Sequence, residues 1–168
     1  MSIGDRVKIE LFHASKFGNG ERVSEELKRV LEAKGHQVSV HHIDRVRPTE
    51  TQPADLYIIG SPTRFGGPIG SMRKFVKKAS LSQGSKYAIF ATHTDGAPNK
   101  KTGKFPTQEE LDRERKTIPE LDLLLKEKGL VKVTDKVFPV TGNIMKGTLR
   151  EGWEIKVDEF ANAILGAL

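Results

Sequence analysis

The chain has 168 residues, with 28 Lys and Arg against 22 Asp and Glu, a net charge of +6, and a length suited to one domain. Cysteine is absent, which excludes a disulfide framework, a cysteine-ligated zinc or iron–sulfur site and a thiol nucleophile. No apolar run approaches the roughly 20 residues of a membrane span. The opening MSIGDRVKIELF carries none of the zones of a secretory leader, so an untargeted, cytoplasmic protein with no membrane partner is expected.

Residues Val7 to Phe12 form a β-rich run ending in HASKFGNG. The spacing of Val23, Leu27, Val30 and Leu31 then predicts an amphipathic helix stopped near Gly35. Val38 to Ile43 reads as a second strand, and Arg47 to Pro53 as a loop. Leu56 to Ile59 is a continuous apolar strand of the kind covered on both faces. It runs into SPTRFGGPIG, after which Met72, Phe75, Val76 and Ala79 mark a helical stripe. Tyr87 to Ala91 is a fourth strand ending in THTDG, and Asn99 to Lys104 is a polar loop, expected to be exposed and mobile. Leu111, Ile118, Leu121, Leu124 and Leu125 predict helix up to Gly129, which Pro119 must kink or restart. Val131 to Val140 holds a fifth strand, and Val157, Phe160, Ala161, Ile164 and Leu165 a last helix.

Alternating apolar strands and amphipathic helices predict an α/β fold, a parallel sheet covered on both faces. Right-handed crossovers leave few arrangements, and the common five-strand order is 2-1-3-4-5. The whole chain, 1–168, is expected to be one domain, with an elaboration at about 95–120.

Ligands of such sheets bind beyond the carboxyl ends of the strands, where the strand order reverses. The loops after strands one, three and four should therefore build the site. The first, Ser15-Lys16-Phe17-Gly18-Asn19-Gly20, offers hydroxyl and amide donors at a helix N-terminus, where an anion is favoured. It matches neither the Walker spacing nor G-x-G-x-x-G, since position 23 is Val. The second, Ser61-Pro62-Thr63-Arg64-Phe65-Gly66-Gly67-Pro68, sets Phe65 among small residues, which suits an aromatic wall beside a flat ring. The third, Thr92-His93-Thr94-Asp95-Gly96, offers hydroxyls, an imidazole and backbone amides. Each has a plainer alternative: an ordinary β–α turn, a tucked core phenylalanine and a surface histidine in an Asp-Gly turn.

Other chemistries find less support. His41 and His42 are adjacent on a strand and point to opposite faces, which defeats chelation, so no metal is expected. There is no nucleic-acid recognition motif, so the positive charge alone names no nucleic-acid partner. The G-x-S-x-G of a serine hydrolase is missing.

S-K-F-G-N-G resembles the phosphate loop of the flavodoxins, usually S/T-x-T-G-N-T, with Phe17 in place of the threonine and Gly20 in place of the final hydroxyl residue. G-S-P-T-R-F-G-G-P-I-G-S-M-R-K-F-V resembles the flavin-ring loop of the WrbA-type NAD(P)H:quinone oxidoreductases. The order of elements is similar to the flavodoxin-like three-layer α/β/α sandwich over nearly the whole chain. The resemblance implies FMN as cofactor. Ser15, Lys16, Phe17, Gly18, Asn19 and Gly20 would cradle its phosphate. Ser61, Pro62, Thr63, Arg64, Phe65 and Gly66 would meet its ring, with Thr92, His93, Thr94, Asp95 and Gly96 on the other side. No protein side chain is assigned a catalytic role.

Three functions follow from that resemblance. The first is an FMN-binding redox protein in electron transfer, working with redox partner proteins. The second is an FMN-dependent reductase taking NAD(P)H and a quinone. The third is a flavodoxin-like interaction module without flavin. Assembly into a homo-oligomer, with the elaboration after the fourth strand contributing, is left open.

Overall fold

The computed structural model describes residues 6–94, 98–142 and 147–168. Five long parallel strands form the sheet: β1 (Lys8–His13), β2 (Gln37–His42), β3 (Leu56–Arg64), β5 (Lys86–Thr94) and β6 (Val131–Thr141). Their spatial order is β2-β1-β3-β5-β6, the expected reversal between the first and third strands. Two short antiparallel strands complete it: β4 (Gly67–Pro68) folds back on β3, and β7 (Thr148–Leu149) pairs with the end of β6.

Helices cover both faces. The helix α1 (Asn19–Ala33) buries Val23, Leu27, Val30 and Leu31 against one face, together with Val157, Phe160, Ala161 and Ile164 of α5 (Trp153–Gly166). Burying each such leucine contributes about 1.5–3 kcal/mol. On the other face lie α2 (Gly70–Lys78), through Met72, Phe75 and Val76, and α4 (Thr117–Glu127), through Leu121 and Leu125. Strand alternation divides the sheet to match: Leu56 and Ile58 face α1 and α5, while Tyr57 and Ile59 face α2 and α4. Among the described residues no helix is long and apolar enough to cross a membrane.

The helical pattern after residue 107, expected to kink or restart at Pro119, is two helices, α3 (Gln108–Glu114) and α4, and the break falls earlier, at Arg115 and Lys116. Thr107 opens α3 with a capping box, its hydroxyl accepting from Glu110 N (3.2 Å) and the Glu110 carboxylate from Thr107 N (3.4 Å). Arg115 then adopts an extended conformation that ends α3. Pro119 falls in the first turn of α4, where no intrahelical N–H is needed. The 99–104 loop is an exposed turn closed by Asn99, whose side-chain oxygen accepts from Lys101 N and Thr102 N.

The outermost long strand, β6, carries an extra residue at Val133, where the register against β5 shifts. Lys132 lies 2.7 Å from Asp122 and 2.6 Å from Asp135, and Lys136 lies 2.8 Å from Glu159.

Candidate functional site

The loop after β1 is fixed from behind. His13 is buried, and its Nδ1 accepts from Ser15 N (3.3 Å). On β2, His42 Nε2 contacts the Ser15 carbonyl (3.0 Å), while its Nδ1 accepts from Asp44 N (3.1 Å). Nδ1 as acceptor makes Nε2 the donor, so His42 holds Ser15 O. Burial above all pushes His13 from 6.5 down to about 4. It therefore stays neutral and keeps its acceptor at neutral pH.

Ser15 Oγ accepts from Gly18 N (3.1 Å), which leaves the hydroxyl hydrogen for an anion. Gly18 takes φ +88, a left-handed conformation at the N-cap of α1 that favours glycine. No side chain caps this helix, so its first-turn amides lack an intrahelical acceptor and face outward as anion donors. Asn19 is differently engaged: its Nδ2 donates to Gly147 O (3.1 Å), tying α1 to the chain before β7.

The loop after β3 is a hairpin. Arg64 pairs with Gly67, leaving Phe65 and Gly66 as a two-residue turn. Their φ values are +50 and +79, the both-positive pattern of a type I′ turn. Gly66 suits it, whereas a bulky residue at positive φ stores about 1–3 kcal/mol of strain. Phe65 is also fully exposed, at 109%.

The α3–α4 segment braces this hairpin. Lys116 N donates to Gly66 O (2.5 Å), and the Thr63 and Thr117 hydroxyls lie 2.8 Å apart. A Cβ on Gly66 would stand 2.6 Å from Glu114 O. Beside Gly67, Arg73 pairs with Glu120 at 2.5 Å. The same segment reaches the end of β5, where Arg115 contacts His93 Nε2 (3.0 Å) and donates to Thr94 O.

The three strand ends meet around a front cavity. Ser15, Lys16, Phe17, Asn19 and Gly20 line it with Pro62 and Arg64, with Thr92, His93 and Thr94, and with Val140. The enclosed space is about 30 Å³, so a ligand with a ring system extends across the open mouth. Arg64 stands 5.6 Å above the Phe17 ring, a cation–π contact. Burial lowers the Arg64 pKa, yet the guanidinium stays charged. Residues 14–20 and 61–68 hold two cations, Lys16 and Arg64, and no carboxylate.

Other expected site residues lie elsewhere. Gly18 shapes the first loop without lining the cavity. Ser61 is buried, its Oγ donating to Pro62 O (2.9 Å) and accepting from Ile69 N (3.1 Å). Thr63 faces the opposite side of the sheet, Phe65 points to solvent, and Gly66 is held by Lys116. Asp95 and Gly96 lie outside the described residues. Val140 and Arg115 were not foreseen. Val140 ends the fifth long strand, so the carboxyl-end rule reaches it; Arg115 has no local signal.

His41 Nε2 lies 2.6 Å from the buried carboxylate of Glu10, so His41 and His42 do turn to different partners. Among the described residues no cluster of three or more His, Asp or Glu is arranged to hold a metal ion.

The description "flavodoxin domain" belongs to a family model that matches residues 11–129, from β1 through α4. The chain belongs to the flavodoxin-domain family. Solved flavodoxins share its fold. Oxidised flavodoxin 1 from Bacillus cereus is 19% identical, with a TM-score of 0.67 over 96% of this chain and 99% of that one. The flavodoxin of Streptococcus pneumoniae TIGR4 is 20% identical, with a TM-score of 0.66 over 96% and 99%. The rubredoxin oxygen:oxidoreductase of Desulfovibrio gigas matches at 14% identity and a TM-score of 0.65, over 95% of this chain and 35% of that larger one. Among curated protein sequences none matches.

Proposed function

We propose that this flavodoxin-domain protein binds FMN at the front cavity and serves in electron transfer. The observation that carries the reading is convergence. A loop with an uncapped helix N-terminus and a hairpin with an aromatic tip flank one opening at the switch point of the sheet. A phosphate fits the first loop: Ser15 Oγ and the first-turn amides of α1 supply donors, and Lys16 and Arg64 supply positive charge. A flat ring fits across the mouth, with Phe17 beneath Arg64 on one side and Thr92 and Thr94 on the other.

When bound, FMN supplies the redox chemistry, so no side chain need be oxidised or reduced. The chain's own part is to bind, orient and shield. His13 and His42 hold Ser15 at its N–H and its carbonyl. The α3–α4 brace holds the hairpin at Gly66 and Thr63. The reading takes the chain as one cytoplasmic domain working with redox partner proteins, and the net charge of +6 favours acidic ones.

The test is a visible spectrum of the purified protein with FMN added back, followed by stepwise anaerobic reduction. Saturable FMN binding and reduction in two resolved one-electron steps support an electron carrier. Reduction in a single two-electron step, with turnover of NAD(P)H and a quinone, would replace the carrier by a reductase. Absence of binding at any FMN concentration would overturn both and leave an interaction module.

A further inference from the structure

A second cavity lies on the opposite side of the sheet from the first. Along β3, Pro62 and Arg64 line the front cavity while Thr63 lines the back one. Along β5, Thr92 and Thr94 face front and Ala91 faces back; along β6, Val140 faces front and Val137 back. This is strand alternation carried to the strand ends. The back cavity measures about 150 Å³, and an apolar space of that order accommodates a benzene ring. Ala91 and Val137 form its floor on the sheet, and Ile118 and Pro119, in the first turn of α4, stand opposite. A slot between a sheet face and a helix end selects a flat, apolar body.

The charged groups of its lining serve other ends. The Arg115 guanidinium is committed to His93 Nε2 (3.0 Å) and to Thr94 O. Asp112 stands exposed at the rim, where its carboxylate accepts from Gln108 Nε2 (2.8 Å). An anion would pass Asp112 and find no cation to spare inside. A cation would meet the Arg115 charge, and a carboxylate in water offers it little. Burying a charge without a partner is costly, so the slot selects a neutral molecule. Its polar feature is the Thr63–Thr117 pair, with hydroxyls 2.8 Å apart and Thr117 only 2% exposed. Two hydroxyls carry two hydrogens, and the bond between them uses one. Neither hydroxyl has another partner among the described residues, so the second hydrogen is left for an acceptor in the cavity that both side chains line.

We propose that the back cavity is a binding site for a small, neutral aromatic molecule that bears one carbonyl acceptor. The site goes beyond the FMN reading and does not rest on it, because it lies on the other face and can be tested without flavin. The ring lies between Ala91 and Val137 on one side and Ile118 and Pro119 on the other. The carbonyl oxygen accepts the hydrogen that the Thr63–Thr117 pair leaves over.

The probes are acetophenone, ethylbenzene as the same shape without the acceptor, and benzoate as the charged counterpart. Each is titrated into the full-length, ¹⁵N-labelled, flavin-free protein. Saturable shifts are expected at the amides of Ala91, Thr117, Ile118 and Val137 for acetophenone and ethylbenzene, with benzoate weaker than acetophenone by about tenfold or more. The double variant Thr63→Val, Thr117→Val removes both hydroxyls at nearly constant shape, which folding tolerates better than the loss of one. It should weaken acetophenone about fivefold and leave ethylbenzene no weaker. A purely structural role for the pair would weaken both ligands alike. Val137→Phe fills the slot from the sheet side and should abolish the binding of both. No saturation, shifts confined to Ser15, Lys16, Asn19 and Gly20, benzoate as tight as acetophenone, equal effects of the double variant on the two neutral ligands, or binding undisturbed by Val137→Phe would each overturn the proposal.

Discussion

The two loops at the front cavity are held in place by opposite means. The first is fixed by its near surroundings: His13 two residues before Ser15, Gly18 three residues after it, α1 immediately beyond, and His42 from the neighbouring strand. The second is fixed from a distance. Its Gly66 carbonyl rests on Lys116 and its Thr63 hydroxyl on Thr117, about fifty positions further along the chain. A loop anchored locally forms with its strand and helix. A loop anchored by a remote segment takes its shape only when that segment docks, and it inherits that segment's stability.

The largest expected effect strikes the local anchor. The unfolded chain protonates His13 near pH 6.5, whereas the folded chain does so only near pH 4. Between those values the unfolded state binds the extra proton. The contribution of His13 is therefore fully present above pH 6.5 and declines toward pH 4, by roughly 3 kcal/mol in all. Denaturant unfolding of wild type and His13→Gln across that range checks it, and a curve in wild type no steeper than in the variant would remove His13 as the anchor.

Next comes Asn19→Asp, which should separate binding from stability. The new charge at the phosphate position should weaken FMN by about 2 kcal/mol, near thirtyfold. Stability should hardly change, because a carboxylate in the first turn of α1 is favourable and offsets the lost bond to Gly147. An FMN titration alongside a thermal melt reads both, and unaltered affinity would move the phosphate elsewhere.

The remote anchor calls for a smaller cut. Lys116→Pro removes the N–H that donates to Gly66 O and also forces φ away from −109, so it should cost more than the roughly 1 kcal/mol of the lost bond, while Lys116→Ala keeps the donor and should cost almost nothing. Equal melting temperatures for the two variants would show that the brace does not hold the hairpin. The smallest effect has the opposite sign. Phe65→Asn places the favoured Asn-Gly pair in the type I′ turn and should stabilise by about 0.5–1 kcal/mol. If FMN affinity falls in the same variant, the exposed ring serves ligand binding; if it does not, Phe65 has no part in holding the cofactor.

The same contrast explains what was legible in the sequence. The strand order, the stripe Val23, Leu27, Val30 and Leu31, and the need for a break in the helical pattern before Gly129 all depend on local periodicity or chain geometry, although the break falls at Arg115 and Lys116 rather than at Pro119. The second loop was less readable for a specific reason. Its residues read as loop from Ser61 onward, but β3 continues to Arg64. Strand alternation therefore persists, sending Pro62 and Arg64 into the front cavity and Thr63 to the back. Arg115 and the Lys116 bond to Gly66 left no mark in the sequence, because a backbone contact across fifty residues depends on docking rather than on any motif.

The margin formed by β6 bears on how copies of this chain meet. A free strand edge invites a neighbouring chain to continue the sheet. Here the extra residue at Val133 distorts the edge, Lys132 and Lys136 place charge along it, Pro139 lacks an N–H, and β7 already occupies Val140 and Thr141. Each is a known deterrent to sheet-to-sheet aggregation. At high concentration, self-association through this margin should be disfavoured, and a dimer of these molecules, if one forms, should join through helices or loops.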